Sequence, residues 1–340
     1  MDDALRLVGL TKTFVSGAKK NKITAVDNLD LVVPHGSVYG FLGRNGAGKT
    51  TALKMVTGLC RPSAGEIYIY GKKAQFGKPS GFCNIGYLPD VPEFYAYMTA
   101  REYLFLCGRL QKMPDGEIKA KIGEIFELIN FDKKRLKSKI STFSRGMKQK
   151  LGIAASLLNS PNLILLDEPT SALDPIGRKE TINIIDSLRG KHTVVFSTHI
   201  LNDAERVCDK IALIEKGRLI LDGSINDIKS KYSTLRESLH IEILPEDAMA
   251  CERFLAAVGE LEYIGGAEMQ EMQKMQEMQK EETVKIRLKT SDRKKAGAAI
   301  PKMLYEHGLT LVRFEFEDAN LEDIFISATS GAPEERGAAE

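Results

Sequence analysis

Gly43-Arg44-Asn45-Gly46-Ala47-Gly48-Lys49-Thr50 follows the apolar run Val38-Tyr39-Gly40-Phe41-Leu42 and leads into a stretch that reads as helix to about Thr57, with Gly58 placed to end it. A strand, a glycine-rich turn and a helix with the spacing G-x-x-x-x-G-K-T make a phosphate loop. Gly46 and Gly48 let backbone N–H groups converge without a Cβ between them and a ligand. Those amides, backed by the helix N-terminus, suit an anionic phosphate chain. Lys49 adds a point positive charge, and the Thr50 hydroxyl suits Mg2+.

Downstream, three strings follow in a fixed order. Phe143-Ser144-Arg145-Gly146-Met147-Lys148-Gln149 opens a helix: Ser144 is a good N-cap, and Met147, Leu151, Ala154 and Leu158 form an apolar stripe. Two readings stand open there, an ordinary capped helix or a second phosphate contact made by Ser144 and the Gly146 amide. Leu163-Ile164-Leu165-Leu166-Asp167-Glu168-Pro169 is a buried strand ending in two carboxylates, where α/β sheets place their ligands. Asp167 is suited to hold Mg2+ through water. Glu168 is one residue on, faces a different atom, and can orient and deprotonate an attacking water. Val194-Val195-Phe196-Ser197-Thr198-His199 is a second such strand, and its terminal histidine is placed to donate to a γ-phosphate.

The ordered set resembles the nucleotide-binding subunit of an ATP-binding cassette (ABC) transporter, over about Leu5 to Gly223. The resemblance implies an α/β P-loop NTPase fold: a RecA-like core, an antiparallel β subdomain and a helical subdomain. It implies an ATP hydrolase using ATP and Mg2+. Gly43, Asn45, Gly46, Ala47, Gly48, Lys49, Thr50 and Thr51 become the phosphate-binding segment, and Thr50, Asp90 and Asp167 the metal side. Glu168 becomes the catalytic carboxylate, assisted by His199 and Lys49, with Ser171–Asp174 the segment that follows. Phe14 fits the aromatic that stacks on adenine, although a strand-end core residue reads equally well. Two departures from the family pattern stand out. The usual Leu-Ser-Gly-Gly-Gln appears as Phe143-Ser144-Arg145-Gly146-Met147, keeping the serine and second glycine. The usual glutamine after Gly86-Tyr87-Leu88-Pro89 is Asp90, shorter and charged. Both variations resemble exporter subunits whose permease is a separate polypeptide. The same logic requires two cassettes head to tail, each ATP held by the phosphate loop of one copy and Ser144 and Gly146 of the other. The expected partners are a second ATP-binding subunit, most simply a second copy, and an integral membrane permease docked on Pro92 to Leu110 through Tyr95, Tyr97, Met98, Glu102 and Tyr103. The alternative is a soluble ABC ATPase acting on a ribosome, a nucleic acid or a regulatory complex.

Composition narrows the field. At 340 residues the chain exceeds the roughly 250–300 at which one core stops growing. The expected division is a cassette over 1–231, with its helical subdomain at about 92–160, and a small α/β domain over 232–330. A net charge of +2 gives no basic excess, so no nucleic-acid partner is expected. Five scattered cysteines without a Cys-x-x-Cys pair read as free thiols. No leader and no run of ~20 apolar residues is present, which predicts a cytoplasmic protein peripheral to the inner membrane face. In the second region the alternating runs at His240–Leu244, Thr283–Leu288 and Leu311–Phe316, with helical stretches between, predict a ferredoxin-like sandwich. The Met/Gln repeat over 268–280 reads as a solvated insertion, with Cu(I) binding by its thioethers the sharper alternative. Lys133 to Lys139 is a basic, solvated run. The tail over 331–340 reads as disordered.

Overall fold

The computed structural model describes residues 3–16, 21–77, 84–171, 173–233, 237–244, 248–270, 283–317 and 321–330. It divides into two compact units, Met1–Ile225 and Asn226–Gly331.

The first unit opens with two long antiparallel strands, β1 (Asp3–Ser16) and β2 (Asn21–Pro34). From Leu29 to Val33, β2 alternates buried and exposed positions, the signature of a strand covered on one side only. β3 (Val38–Leu42) is buried at every position and delivers the phosphate loop to α1 (Lys49–Val56). Thr57 is the C-cap of that helix, and Gly58 follows it in the left-handed region. β4 (Ala64–Ile69) and β5 (Lys72–Lys73) complete a four-stranded antiparallel sheet in the order β2-β1-β4-β5.

A strand not evident in the sequence, β6 (Ile85–Leu88), then begins the other side of the core. The helical middle consists of α2 (Ala100–Leu110), α3 (Asp115–Leu128), two 3-10 turns at Lys133–Lys137 and Ile140–Thr142, and α4 (Arg145–Leu157). The chain returns through β7 (Leu163–Asp167), α5 (Pro175–Ser187), β8 (Thr193–Thr198), α6 (Leu201–Val207), β9 (Lys210–Glu215) and β10 (Arg218–Ser224). The central sheet runs β10-β9-β3-β8-β7-β6. It is parallel from β9 to β6, and β10 closes the far edge as an antiparallel hairpin partner. Like β3, β7 and β8 are buried throughout, as strands covered by helices on both faces must be. The carboxyl ends of β3, β7 and β8 therefore emerge side by side, bringing Gly43, Glu168 and His199 to one edge.

α7 (Ile225–Ser233) lies at the division between the units. The second unit is β11 (Glu237–Leu244), α8 (Ala248–Gly259), β12 (Ile264–Gln270), β13 (Val284–Thr290), α9 (Arg293–Glu306), β14 (Thr310–Glu317) and α10 (Leu321–Ser330). Its sheet is antiparallel in the order β12-β13-β11-β14. That βαββαβ succession is the ferredoxin-like arrangement. Leu239, Ile241, Ile243, Ile286, Leu288, Phe254 and Ile300 form its core. The first three residues of the Met/Gln repeat belong to β12, where Glu268, Met269 and Gln270 pair with Arg287, Ile286 and Lys285. The rest of the repeat, from 271 to 280, and the tail from 331 lie outside the described residues.

Candidate nucleotide site

The phosphate loop turns where only glycine fits. Gly48 sits at φ 107°, and a Cβ there would lie 2.3 Å from the Ala25 carbonyl oxygen in β2. Gly46, at φ 84°, faces open space. The loop is tied down by Ala47 N–H donating to Arg44 O (3.1 Å) and Gly217 N–H donating to Ala47 O (2.9 Å). Asn45 and Gly46 form its exposed rim, and Thr51 is half-buried in the first turn of α1. Lys49 is only 5% exposed. Its ammonium donates to Gly43 O (2.7 Å) and Arg44 O (3.3 Å), and stands 3.1 Å from Glu168 Oε1 in an ion pair without hydrogen-bond angles.

Asp167 is fully buried at the end of β7. Its Oδ1 accepts from Thr50 Oγ1 (3.1 Å) and from Ser197 Oγ (2.5 Å). Its Oδ2 is also buried and has no partner among the described residues. Burial pushes its pKa up, opposed by the two hydroxyls and reinforced by Asp90 and Glu168. A buried carboxylate with an unclaimed oxygen beside a threonine hydroxyl is the oxygen-only donor set a hard divalent cation takes, so the residues fit Mg2+.

Glu168 adopts φ 47°, a left-handed conformation that costs a non-glycine residue about 1–2 kcal/mol. The strain is held by β8: Glu168 N–H donates to both Ser197 O (3.1 Å) and Ser197 Oγ (3.0 Å). This turn aims the side chain away from that of Asp167. Its Oε2 lies 2.9 Å from His199 Nδ1. Sequence reasoning found Lys49, Thr50, Asp167, Glu168 and His199, and the structure brings all five together. It missed Ser197, which touches both Asp167 and Glu168. Asp167 and Ser197 stand opposite each other in the parallel pairing of β7 and β8.

Asp90 accepts from Ser171 Oγ (3.1 Å), tying the segment after β6 to the segment after Glu168. Another missed residue, the buried Asp203 of α6, accepts from Thr170 Oγ1 (2.7 Å) and Arg178 Nε (2.7 Å). It pins both ends of the stretch containing Leu173 and Asp174. Asp174 in turn caps α5, accepting from Gly177 N–H (3.1 Å), with Pro175 preset for the first helical turn.

Ser144 and Gly146 stand in a different place. Phe143 is buried and packs on Phe131, with ring centroids 5.8 Å apart, which fixes the start of α4. Ser144 is its exposed N-cap and accepts from Met147 N–H (3.2 Å), keeping its own O–H to donate. Both residues line an open cleft of about 630 Å³ with Arg145, Leu173, Asp174 and Ile176. No phosphate-loop residue lines it. Phe14 is 44% exposed, with the Lys12 ammonium 4.9 Å from its ring centre. Of the residues expected to dock a permease, Tyr95 and Tyr97 are exposed. Glu102 is engaged in a capping box with Thr99, and Tyr103 packs edge-on against Phe94.

Residues 26–171 match the family model described as ABC transporter. The chain is 34% identical over 302 residues, 89% of its length and 93% of the other's, to the uncharacterized ABC transporter ATP-binding protein YxlF of Bacillus subtilis. It is 39% identical over 233 residues, 68% of its length and 73% of the other's, to the bacitracin transport ATP-binding protein BcrA of Bacillus licheniformis. Among solved structures, it is similar to the ATP-binding cassette MJ0796, a dimer in a post-hydrolysis state bound to ADP and Pi. There the TM-score is 0.59 and the identity 26%, over 65% of this chain and 98% of that one.

Proposed function

Since this chain belongs to the ATP-binding subunits of ABC transporters, an ATPase family, we propose how its own residues divide the work and what they work with. Lys49 and the amides of 43–51 take the β- and γ-phosphates, which replace the Gly43 and Arg44 carbonyls as partners of the ammonium. As Lys49 moves to the phosphates, Glu168 loses its ion pair and becomes the acceptor for the proton of the attacking water. His199 faces Glu168 through Nδ1 and presents Nε2 to a γ-phosphate oxygen. Thr50 and Asp167 would hold Mg2+, with Asp90 at its margin, and the ion would supply positive charge against the phosphates. Phe14 stacks on adenine.

Ser144 and Gly146 complete the nucleotide site of a second copy, so that ATP joins two cassettes and hydrolysis parts them. In this reading residues 1–231 are the cassette and 232–330 an accessory domain. A separate permease docks on the exposed Tyr95 and Tyr97, which holds the subunit at the inner face of the membrane. Among the described residues no helix is long and apolar enough to cross a membrane, so the crossing falls to that partner. The relatives named for bacitracin transport and linearmycin resistance support export as its direction.

The observation that carries this reading is Glu168, held in a strained turn by Ser197 and set between Lys49 and His199. Replacing Glu168 with Gln should lower ATP turnover ~10²–10⁴-fold, while size-exclusion chromatography with Mg·ATP shows dimer accumulating. Unchanged turnover would refute the assignment.

A further inference from the structure

Two polar atoms near the metal side of this site are buried and unclaimed among the described residues, Asp167 Oδ2 and the hydroxyl of Tyr87. Strand register puts them on one face. β6 and β7 run parallel with Tyr87 opposite Leu165 and Leu88 opposite Leu166. Side chains alternate along a strand, so Tyr87, Leu165 and Asp167 share a side. It is the α1 side: Tyr87 and Leu165 pack in one cluster with Ala52, Leu53, Met55 and Val56, and Thr50 reaches Asp167 from there. Tyr87 and Asp167 are thus diagonal neighbours, a separation an aromatic side chain spans.

Asp167 Oδ1 is already saturated by Thr50 and Ser197, which leaves Oδ2 as the carboxylate's free edge. The Tyr87 hydroxyl is pushed up to about 12, first by burial and then by the charges of Asp167 and Asp90, so it stays protonated beside them. Buried groups of this kind are satisfied in native proteins by a partner or an ordered water. A water on a cation has two hydrogens to give, and the site offers two acceptors.

We infer that Tyr87 is a positioning residue which, together with Asp167, holds a water of the nucleotide's magnesium ion. One hydrogen of that water goes to Asp167 Oδ2 and the other to the Tyr87 oxygen. The inference rests on the assignment of Asp167 to the metal side. It gives a purpose to the tyrosine just upstream of Asp90, on the edge strand of the core sheet, that packing alone does not.

The test uses the full chain with Tyr87→Phe, which keeps the ring in the cluster. Fluorescent ATP binding is titrated with Mg2+ and, separately, measured in EDTA, alongside the unfolding midpoint without ligand. The expected result is about a 3–10-fold rise in the Mg2+ concentration needed for half-saturation, the effect of one lost hydrogen bond. Affinity in EDTA and the midpoint stay as in the parent. An unchanged Mg2+ titration, or an equal loss in EDTA, overturns the role of Tyr87. Asp167→Asn separates the two levels: if it retains full Mg2+ dependence, the metal assignment itself fails, whatever Tyr87→Phe does.

Discussion

The edge formed by β3, β7 and β8 and the start of α4 are the two regions proposed to hold phosphate, yet they are built in opposite ways. At the first, each charged group is buried and answered by a neighbour: Lys49 by Gly43 and Glu168, Asp167 by Thr50 and Ser197, Glu168 by His199. At the second, Ser144 and Arg145 are exposed, and the serine answers only its own helix. A network closed within one chain can hold strained chemistry by itself. An open helix start needs a ligand brought from outside. The contrast is what a site divided between two copies would leave in each.

The strongest attack on that contrast is complementation. Lys49→Ala removes the closed half and Ser144→Arg blocks the open half. Each purified variant alone should lose nearly all ATPase activity. A mixture should recover about a quarter of the parent rate, because half the dimers are mixed and each mixed dimer keeps one intact site of two. Turnover assayed against mixing ratio gives the answer, and no recovery at any ratio means that the two halves do not meet across copies.

Much of the closed half is legible in the sequence because its chemistry is local: a phosphate loop is eight consecutive residues, and Asp167-Glu168 end an apolar run. Ser197 is not legible, since its role depends on which residue of β8 stands beside Asp167, and register is a property of the folded sheet. The same limit hid Tyr87. The β9–β10 hairpin escaped for another reason. Its turn is Lys216-Gly217, both at positive φ, and a lysine gives no sign of a conformation usually marked by Asn-Gly. β12 escaped because Gly265 and Gly266 interrupt its start and the Met/Gln repeat masks its end. The open half was readable as a capped helix, but nothing in its residues chose between cap and ligand site.

Asp203 joins the two regions, so it sharpens the contrast. It holds Thr170, two residues past Glu168, and Arg178 in α5, bracketing Leu173 and Asp174 on the wall of the open cleft. Asp203→Ala leaves a buried threonine hydroxyl without its acceptor and a cation without its carboxylate. The expected loss is about 3 kcal/mol, or roughly 6–12 °C in the unfolding midpoint of a unit this size. Calorimetry reads it directly. If stability falls while Ser144→Arg still responds as before, the wall of the open cleft is built independently of the closed one.

The smallest effect belongs to Ser197→Ala, and it asks whether the closed network is a set of separate bonds or one device. Asp167 keeps Thr50 as a donor, and Glu168 N–H keeps the Ser197 carbonyl, so neither group is orphaned. Counting bonds alone, the loss is about 1 kcal/mol, some 2–4 °C in midpoint. Catalysis should suffer more than that count suggests, about 10-fold in turnover at unchanged ATP affinity, because the one hydroxyl sets both the carboxylate proposed to hold Mg2+ and the strained turn that aims Glu168. Thermal melts beside steady-state turnover separate the two outcomes. A variant that loses stability and turnover in the proportion of a single hydrogen bond would show that Ser197 only packs the end of β8, and that the strain at Glu168 is held by the backbone alone.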